Sequence, residues 1–215
     1  MASSKSQILL HSIVISTMNK WLKPLVLSNE VVALQPLSLA HTAELQEAVI
    51  DGQLWNLWYS SVPAPDEVEN FIRQSLEGLE KDEMLPFAVV RKSDSKVVGS
   101  TRFLNADSKN RRLEIGHTWY SQSVQRTGVN TACKHLLLQY AFEQLSCIAV
   151  EFRTNFHNFQ SRKAIERLGA KQDGILRNHR VDGQGVFRDT VVFSILDSEW
   201  PTVKRSLDFK MAMQY

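Results

Sequence analysis

Two spacings of apolar residues alternate along this chain, and the places where one gives way to the other outline its elements. Val31-Val-Ala-Leu-Gln-Pro-Leu37 has the apolar, β-branched character of a strand, and Leu39 to Ile50 continues as a helix. Gln53 to Tyr59 and Pro65 to Leu79 predict two further helical pieces; the second opens with a proline and acids suited to a first turn. Leu85 to Arg91, Lys96 to Leu104 and Arg112 to Tyr120 predict a three-strand meander, its first two strands joined at Ser93-Asp-Ser95. In the third strand Leu113, Ile115 and Trp119 keep a period of two, which places Glu114 on the opposite face.

From Val129 the spacing becomes helical, with Ala132, Cys133, Leu136, Leu137, Tyr140 and Ala141 at intervals of three and four. Val150 to Asn155 is β-rich, and a second helix, Arg162 to Leu168, follows it. Asn158 or a neighbour reads as the N-cap of that helix and Gly169 as its C′ stop. Ala170 to Arg180 and Val186 to Leu196 then pair through Val181-Asp-Gly-Gln-Gly185. The pattern as a whole predicts a mixed sheet flanked by helices, with no internal repeat or low-complexity segment.

Composition narrows the function classes. A chain of 215 residues with 43% hydrophobic content suits one domain with a sizeable core. The balance of 25 basic against 23 acidic residues gives only +2, without the basic stripe of a nucleic-acid surface. No apolar run reaches the roughly 18 residues of a membrane span, so neither nucleic acid nor membrane is expected as a partner. Two cysteines, Cys133 and Cys147, point to a reducing, cytoplasmic compartment, and the six histidines show no metal spacing, so no metal is expected.

The chain divides into an N-terminal extension (1–27), one domain (28–200) and a C-terminal tail (201–215). Gln7 to Ile15 is apolar but too short to span a membrane, and residues 1–17 are expected to precede a native start at Met18. The intact mass of natively expressed protein tests that expectation.

The junction Ser123-Val-Gln-Arg-Thr-Gly-Val-Asn-Thr-Ala-Cys-Lys134 carries the chemistry, because a strand ends there and a helix begins. The first N–H groups of a helix lack intrahelical acceptors and lie at the positive end of its dipole, so such a turn can hold a diphosphate. Gly128 brings the backbone close to the ligand without a Cβ. Together with the second strand–helix unit, this turn resembles the Gcn5-related N-acetyltransferase (GNAT) family. That family's cofactor loop reads Gln/Arg-x-x-Gly-x-Gly/Ala, and Gln125, Gly128 and Asn130 occupy its three positions, Asn130 being a departure. Asn158-Phe-Gln-Ser161 looks like the branch that acetylates ribosomal-protein N-termini (RimJ/RimL-like), although Gly169-Ala170 and Asp173-Gly174 stand where that branch has Gly-Phe and Glu-Gly.

The resemblance implies an α/β (α+β) architecture: a mixed, mostly antiparallel sheet of about six to seven strands in the acyl-CoA N-acyltransferase fold. It implies acetyl-CoA as co-substrate and an amine as acceptor, first a protein N-terminal α-amine and second a small-molecule amine. A domain that holds acetyl-CoA without turnover is the rival class, and a homodimer is among the assemblies left open. Backbone N–H groups near Trp119, Tyr120 and Ser121 are implied to polarise the thioester carbonyl. Residues Gln125, Arg126, Thr127, Gly128, Val129, Asn130 and Thr131 are implied to hold the diphosphate, and Asn158 the pantetheine arm or the backbone.

For catalysis, Ser161 is implied to protonate the thiolate, and Asp173 stands where the branch carries a glutamate base. Glu114 could take the amine proton, or pair with Arg111 or Arg112 as an ordinary strand charge. Arg162, Lys163 and Arg167 cluster on one helix, as a solvated face or as a grip on the 3′-phosphate. Trp55, Trp58 and Tyr59 could wall an acceptor pocket or pack in the core. Asp66, Glu67 and Glu69 could attract a cation or simply suit a helix start.

Overall fold

The computed structural model describes residues 20–213, so the expectation about residues 1–17 and Met18 lies outside the described residues. Eight strands form one sheet: β1 (Leu27–Ser28), β2 (Val32–Pro36), β3 (Met84–Arg91), β4 (Lys96–Asp107), β5 (Arg112–Tyr120), β6 (Ala149–Asn155), β7 (Lys171–Val181) and β8 (Phe187–Leu196). Their order is β1-β2-β3-β4-β5-β6-β8-β7, and β5–β6 is the one parallel pair. The mixed, mostly antiparallel sheet is as the pattern predicts. The count of six to seven was low because the two-residue β1 carries no legible period.

Five α-helices cover the two faces: α1 (Thr42–Ile50), α2 (Val68–Glu80), α3 (Val129–Gln139), α4 (Phe159–Leu168) and α5 (Trp200–Ala212). Alternation along the strands sorts the apolar side chains into two cores. Leu85, Phe87 and Val89 of β3 pack toward α3 and α5, whereas Ala88 and Val90 pack toward α1 and α2. Gly169 ends α4 in the left-handed region at φ 102°, as a C′ glycine does.

Three boundaries differ from expectation. Residues 53–59 do not form a helical piece: Gly52 (φ 100°) and Gln53 (φ 47°) turn left-handed, and only a single 3₁₀ turn, Leu54–Asn56, follows. Residues 201–215 are not a tail as far as they are described, because Trp200, Val203 and Leu207 recur at helical spacing and are buried against the rest of the core. At the other end Leu22 is buried in that same core, so the domain begins before residue 28.

Among the described residues no helix is long and apolar enough to cross a membrane. Nor does any group of three or more His, Cys, Asp or Glu residues form a metal site.

Candidate active site

The site begins with a strand that changes sides. Ser100 pairs with Trp119 and Arg102 with Gly116, so β5 carries one extra residue there, and His117 absorbs it at φ 46°. The bulge resets the period. Leu113 and Ile115 face α3 and Glu114 faces away, as expected, but Tyr120 now faces α3 while Trp119 shares the α1–α2 core. The expectation that Trp119 lies on the face of Leu113 is thereby corrected.

Beyond Glu114 the parallel pairing of β5 with β6 stops, since Glu114↔Glu151 is its last pair. The strands diverge and open a cleft of about 790 Å³, lined from both faces of the sheet. Ser121 donates its N–H to Val98 on β4, whereas the Tyr120 carbonyl accepts from Gln125 Nε2 at 3.2 Å. Because successive peptide groups alternate across a strand, the Tyr120 N–H points to the open side. Of the three amides implied for the thioester, that of Ser121 is therefore excluded and that of Tyr120 is favoured.

The turn after β5 presents donors. Among the described residues, the amides of Arg126, Thr127, Gly128, Asn130 and Thr131 meet no protein acceptor, and the first intrahelical bond runs from Ala132 to Gly128. The Thr127 hydroxyl accepts from the Val129 amide at 3.3 Å and donates to the Val124 carbonyl at 2.6 Å, acting as a local cap. Arg126, at φ 61°, takes the left-handed conformation of the turn, while Gly128 (φ −66°, ψ −16°) and Asn130 are ordinary helical residues. The dihedrals at 128 therefore do not require glycine, and Asn130 needs no unusual geometry.

Val129 and Thr131 are buried, so their side chains belong to the core and only the Thr131 amide serves the turn. Gln125 accepts from Gln160 Nε2 at 3.2 Å while donating to Tyr120; it ties the two strand–helix units together rather than reaching outward.

Residues 32–171 match the acetyltransferase (GNAT) domain model. The chain belongs to the GNAT family. "Putative ribosomal N-acetyltransferase YdaF" of Bacillus subtilis (strain 168) is 34% identical over 110 residues, 50% of this chain and 57% of that relative's length. A GCN5-related N-acetyltransferase from Brucella melitensis superposes with a TM-score of 0.79 at 30% identity, covering 88% of this chain and 86% of its own. Mycobacterium smegmatis RimJ in complex with CoA-disulfide shares the fold, with a TM-score of 0.71 at 21% identity over 89% and 94% of the two chains.

Within this GNAT domain, α4 carries the second half of the cleft. Asn158 Oδ1 accepts from the Ser161 amide at 3.0 Å, so Asn158 caps the helix, and Ser161 lines the cleft with its hydroxyl unengaged among the described residues. Lys163 and Arg167 also line it. Arg162 turns away onto the rings of Phe156 and Phe159, 5.0 and 5.3 Å from their centroids. Asp173 does not line the cleft: it accepts from Ser194 Oγ at 3.0 Å on the exposed edge strand β7.

Glu114 is buried at 6% exposure and lines the cleft on the α2 face. Burial raises its pKa above the usual carboxylate range, opposed by Asn105, whose Nδ2 donates at 2.8 Å, and by Arg153 at 3.5 Å. Its ion-pair partner is therefore Arg153, and Arg112 pairs with Glu151 instead. Trp58 and Tyr59 wall the cleft edge to face at 5.5 Å, while Trp55 packs against the α1–α2 core. Asp66, Glu67 and Glu69 lie outside the cleft, and Glu69 pairs with Arg73.

Sequence reasoning missed Lys134. It is buried at 5% exposure, lines the cleft from α3, and donates to Thr118 Oγ1 at 2.5 Å and Thr101 Oγ1 at 3.4 Å. No carboxylate pairs with it among the described residues, and burial pushes its pKa down to about 8. The signal was available, since a lysine directly follows Cys133 on an apolar helix face. Cys133 itself is a core side chain, its thiol pushed up to about 11 by burial. His117, read as packed, instead opens onto the cleft from the bulge. Desolvation within the concave wall, then Arg102, Arg180 and Arg188, push its pKa down to about 4.

Proposed function

We propose that this chain is an acetyl-CoA-dependent N-acetyltransferase that passes the acetyl group to a primary amine by direct attack in a ternary complex. The observation that carries this reading is the row of unpartnered amides at Arg126–Gly128 and Asn130–Thr131, placed at the mouth of the splay between β5 and β6. Such donors suit a diphosphate, and Arg126, Lys163 and Arg167 add positive charge around it. The pantetheine arm then runs into the splay, where the Tyr120 N–H donates to the thioester oxygen.

In the transfer a C–N bond forms and the C–S bond breaks. Glu114 takes the proton released by the amine, directly or through water, and its raised pKa suits that task. Ser161 supplies the proton that ends on the departing sulfur. Lys134, at the β5 bulge, favours negative charge developing on the thioester oxygen.

The acceptor proposed first is a protein N-terminal α-amine, supported by the resemblance at Asn158-Phe-Gln-Ser161 and by the word ribosomal in YdaF's name; a small-molecule amine is the second. A cytoplasmic location belongs to the same proposal, supported by two buried, unlinked cysteines and testable by cell fractionation. Thiol release from acetyl-CoA, measured against a panel of N-terminal peptides and small amines, tests the activity. Tight acetyl-CoA binding with no amine-dependent release would replace the enzyme with a sensor.

A further inference from the structure

The strand register gathers cations on one face of the cleft. In β6, Val150 and Phe152 face the α3 core, so Glu151, Arg153 and Asn155 face the other way, the side of Glu114. Asn155 pairs with Thr190 of β8, and Arg188 lies two residues further on the same face, directly opposite Arg180 of β7. Both arginines and Asn155 line the cleft.

Like charges directly opposite in a sheet destabilise it unless something between them compensates. Among the described residues neither Arg180 nor Arg188 forms an ion pair, and only the more distant charges of Glu114 on Arg180 and Asp182 on Arg188 offset them. The two carboxylates of this wall are already engaged, Glu114 by Arg153 and Asn105, and Glu151 by Arg153 and Arg112. Asp182, the nearest acid on the hairpin, accepts from the Gln184 and Val186 amides of the turn. Asn155, 3% exposed, has a buried Nδ2 without an acceptor. Arg102, 5% exposed, also has no carboxylate partner among the described residues; it stacks on the Phe71 ring at 4.8 Å, and its Nε and Nη2 lack acceptors.

We propose that Arg180, Arg188 and the side-chain amide of Asn155 form an anion subsite beside Glu114, filled by a carboxylate or phosphate carried on the amine acceptor. Arg180, Arg188 and the Asn155 amide supply the donors of this subsite, which suits an anion. This inference rests on the N-acetyltransferase reading and specifies its substrate class.

Matched acceptors that differ in one anionic group test it on the full chain with acetyl-CoA: alanine against alaninamide, phosphoethanolamine against ethanolamine, and Ser-Asp-Ala-amide against Ser-Asn-Ala-amide. The pairs separate an adjacent carboxylate, a phosphate and an acidic peptide side chain. The anionic member of at least one pair is expected to show about tenfold higher kcat/KM, the size of one charge-assisted contact. Arg188→Gln is expected to raise KM for that member and bring the preference toward unity. Equal use of both members of every pair by the unaltered protein overturns the subsite and leaves the transferase standing. Failure to release thiol with any amine overturns both.

Discussion

Lys134 Nζ lies 2.5 Å from Thr118 Oγ1, so a buried ammonium on α3 holds the bulged strand that borders the cleft. Burial without a carboxylate is costly to a cation, which makes this lysine a stability liability. Its folded pKa, about 8, lies below the ordinary lysine value of 10.5. Below about pH 8 both states are protonated and the full penalty is present. As pH rises toward 10.5 the unfolded state still binds the proton that the folded state has released, so the penalty is progressively relieved. Lys134→Met is therefore expected to stabilise the fold at pH 7 by on the order of 2–3 kcal/mol, a gain that shrinks by pH 10, while slowing acetyl transfer. Urea midpoints at the two pH values, together with kcat, check it; a destabilised variant at pH 7 would mean that the two threonine contacts outweigh the burial.

Glu114→Gln keeps the contour of the side chain and can still accept from Asn105. Loss of a general base is expected to lower kcat by about 10²-fold or more with KM for acetyl-CoA unchanged, and to remove the acidic limb of the pH–rate profile. Asp173→Asn, outside the cleft, is expected to leave both parameters as they are. A profile that keeps its acidic limb in Glu114→Gln would move the base elsewhere.

Ser161 can be altered without uncapping α4, because Asn158 accepts from the backbone of residue 161 and not from its hydroxyl. Ser161→Ala is expected to reduce kcat while acetyl-CoA affinity and thermal stability hold. Asn158→Ala is expected to cost about 1 kcal/mol of stability through the lost cap. Calorimetric titration and melting curves separate the two, and a large loss of affinity in Ser161→Ala would reassign that serine to binding.

Gly128 adopts helical dihedrals open to any residue, but it is buried, so a large side chain there also tests packing. Gly128→Leu is expected to abolish acetyl-CoA binding, with Gly128→Ala as the smaller variant and melting curves on both to separate lost binding from lost fold. Retained binding would place the diphosphate away from the amides of residues 126–131.

The elements of this protein are local statements in its sequence. Spacing predicts Arg112–Tyr120 to its end residues, Asn158 or a neighbour and Gly169 mark the two ends of one helix, and the strand-to-helix turn after β5 is visible in the order of its residues. Periodicity, caps and turn chemistry depend on neighbours a few residues apart, which is why they are legible. Even the helix Trp200–Ala212, set aside as a tail, carried a visible spacing at Trp200, Val203 and Leu207.

The tertiary structure alone decided which side chains meet in the cleft. One inserted residue at His117 moved Trp119 to the other face. The end of pairing after Glu114 opened the cleft, and the edge position of β7 removed Asp173 from it. Pairing register and strand divergence are set between segments distant in sequence, and a shift of one residue reverses every later side chain. The same holds for Lys134, whose meaning depends on two threonines from strands that the helix only meets after folding.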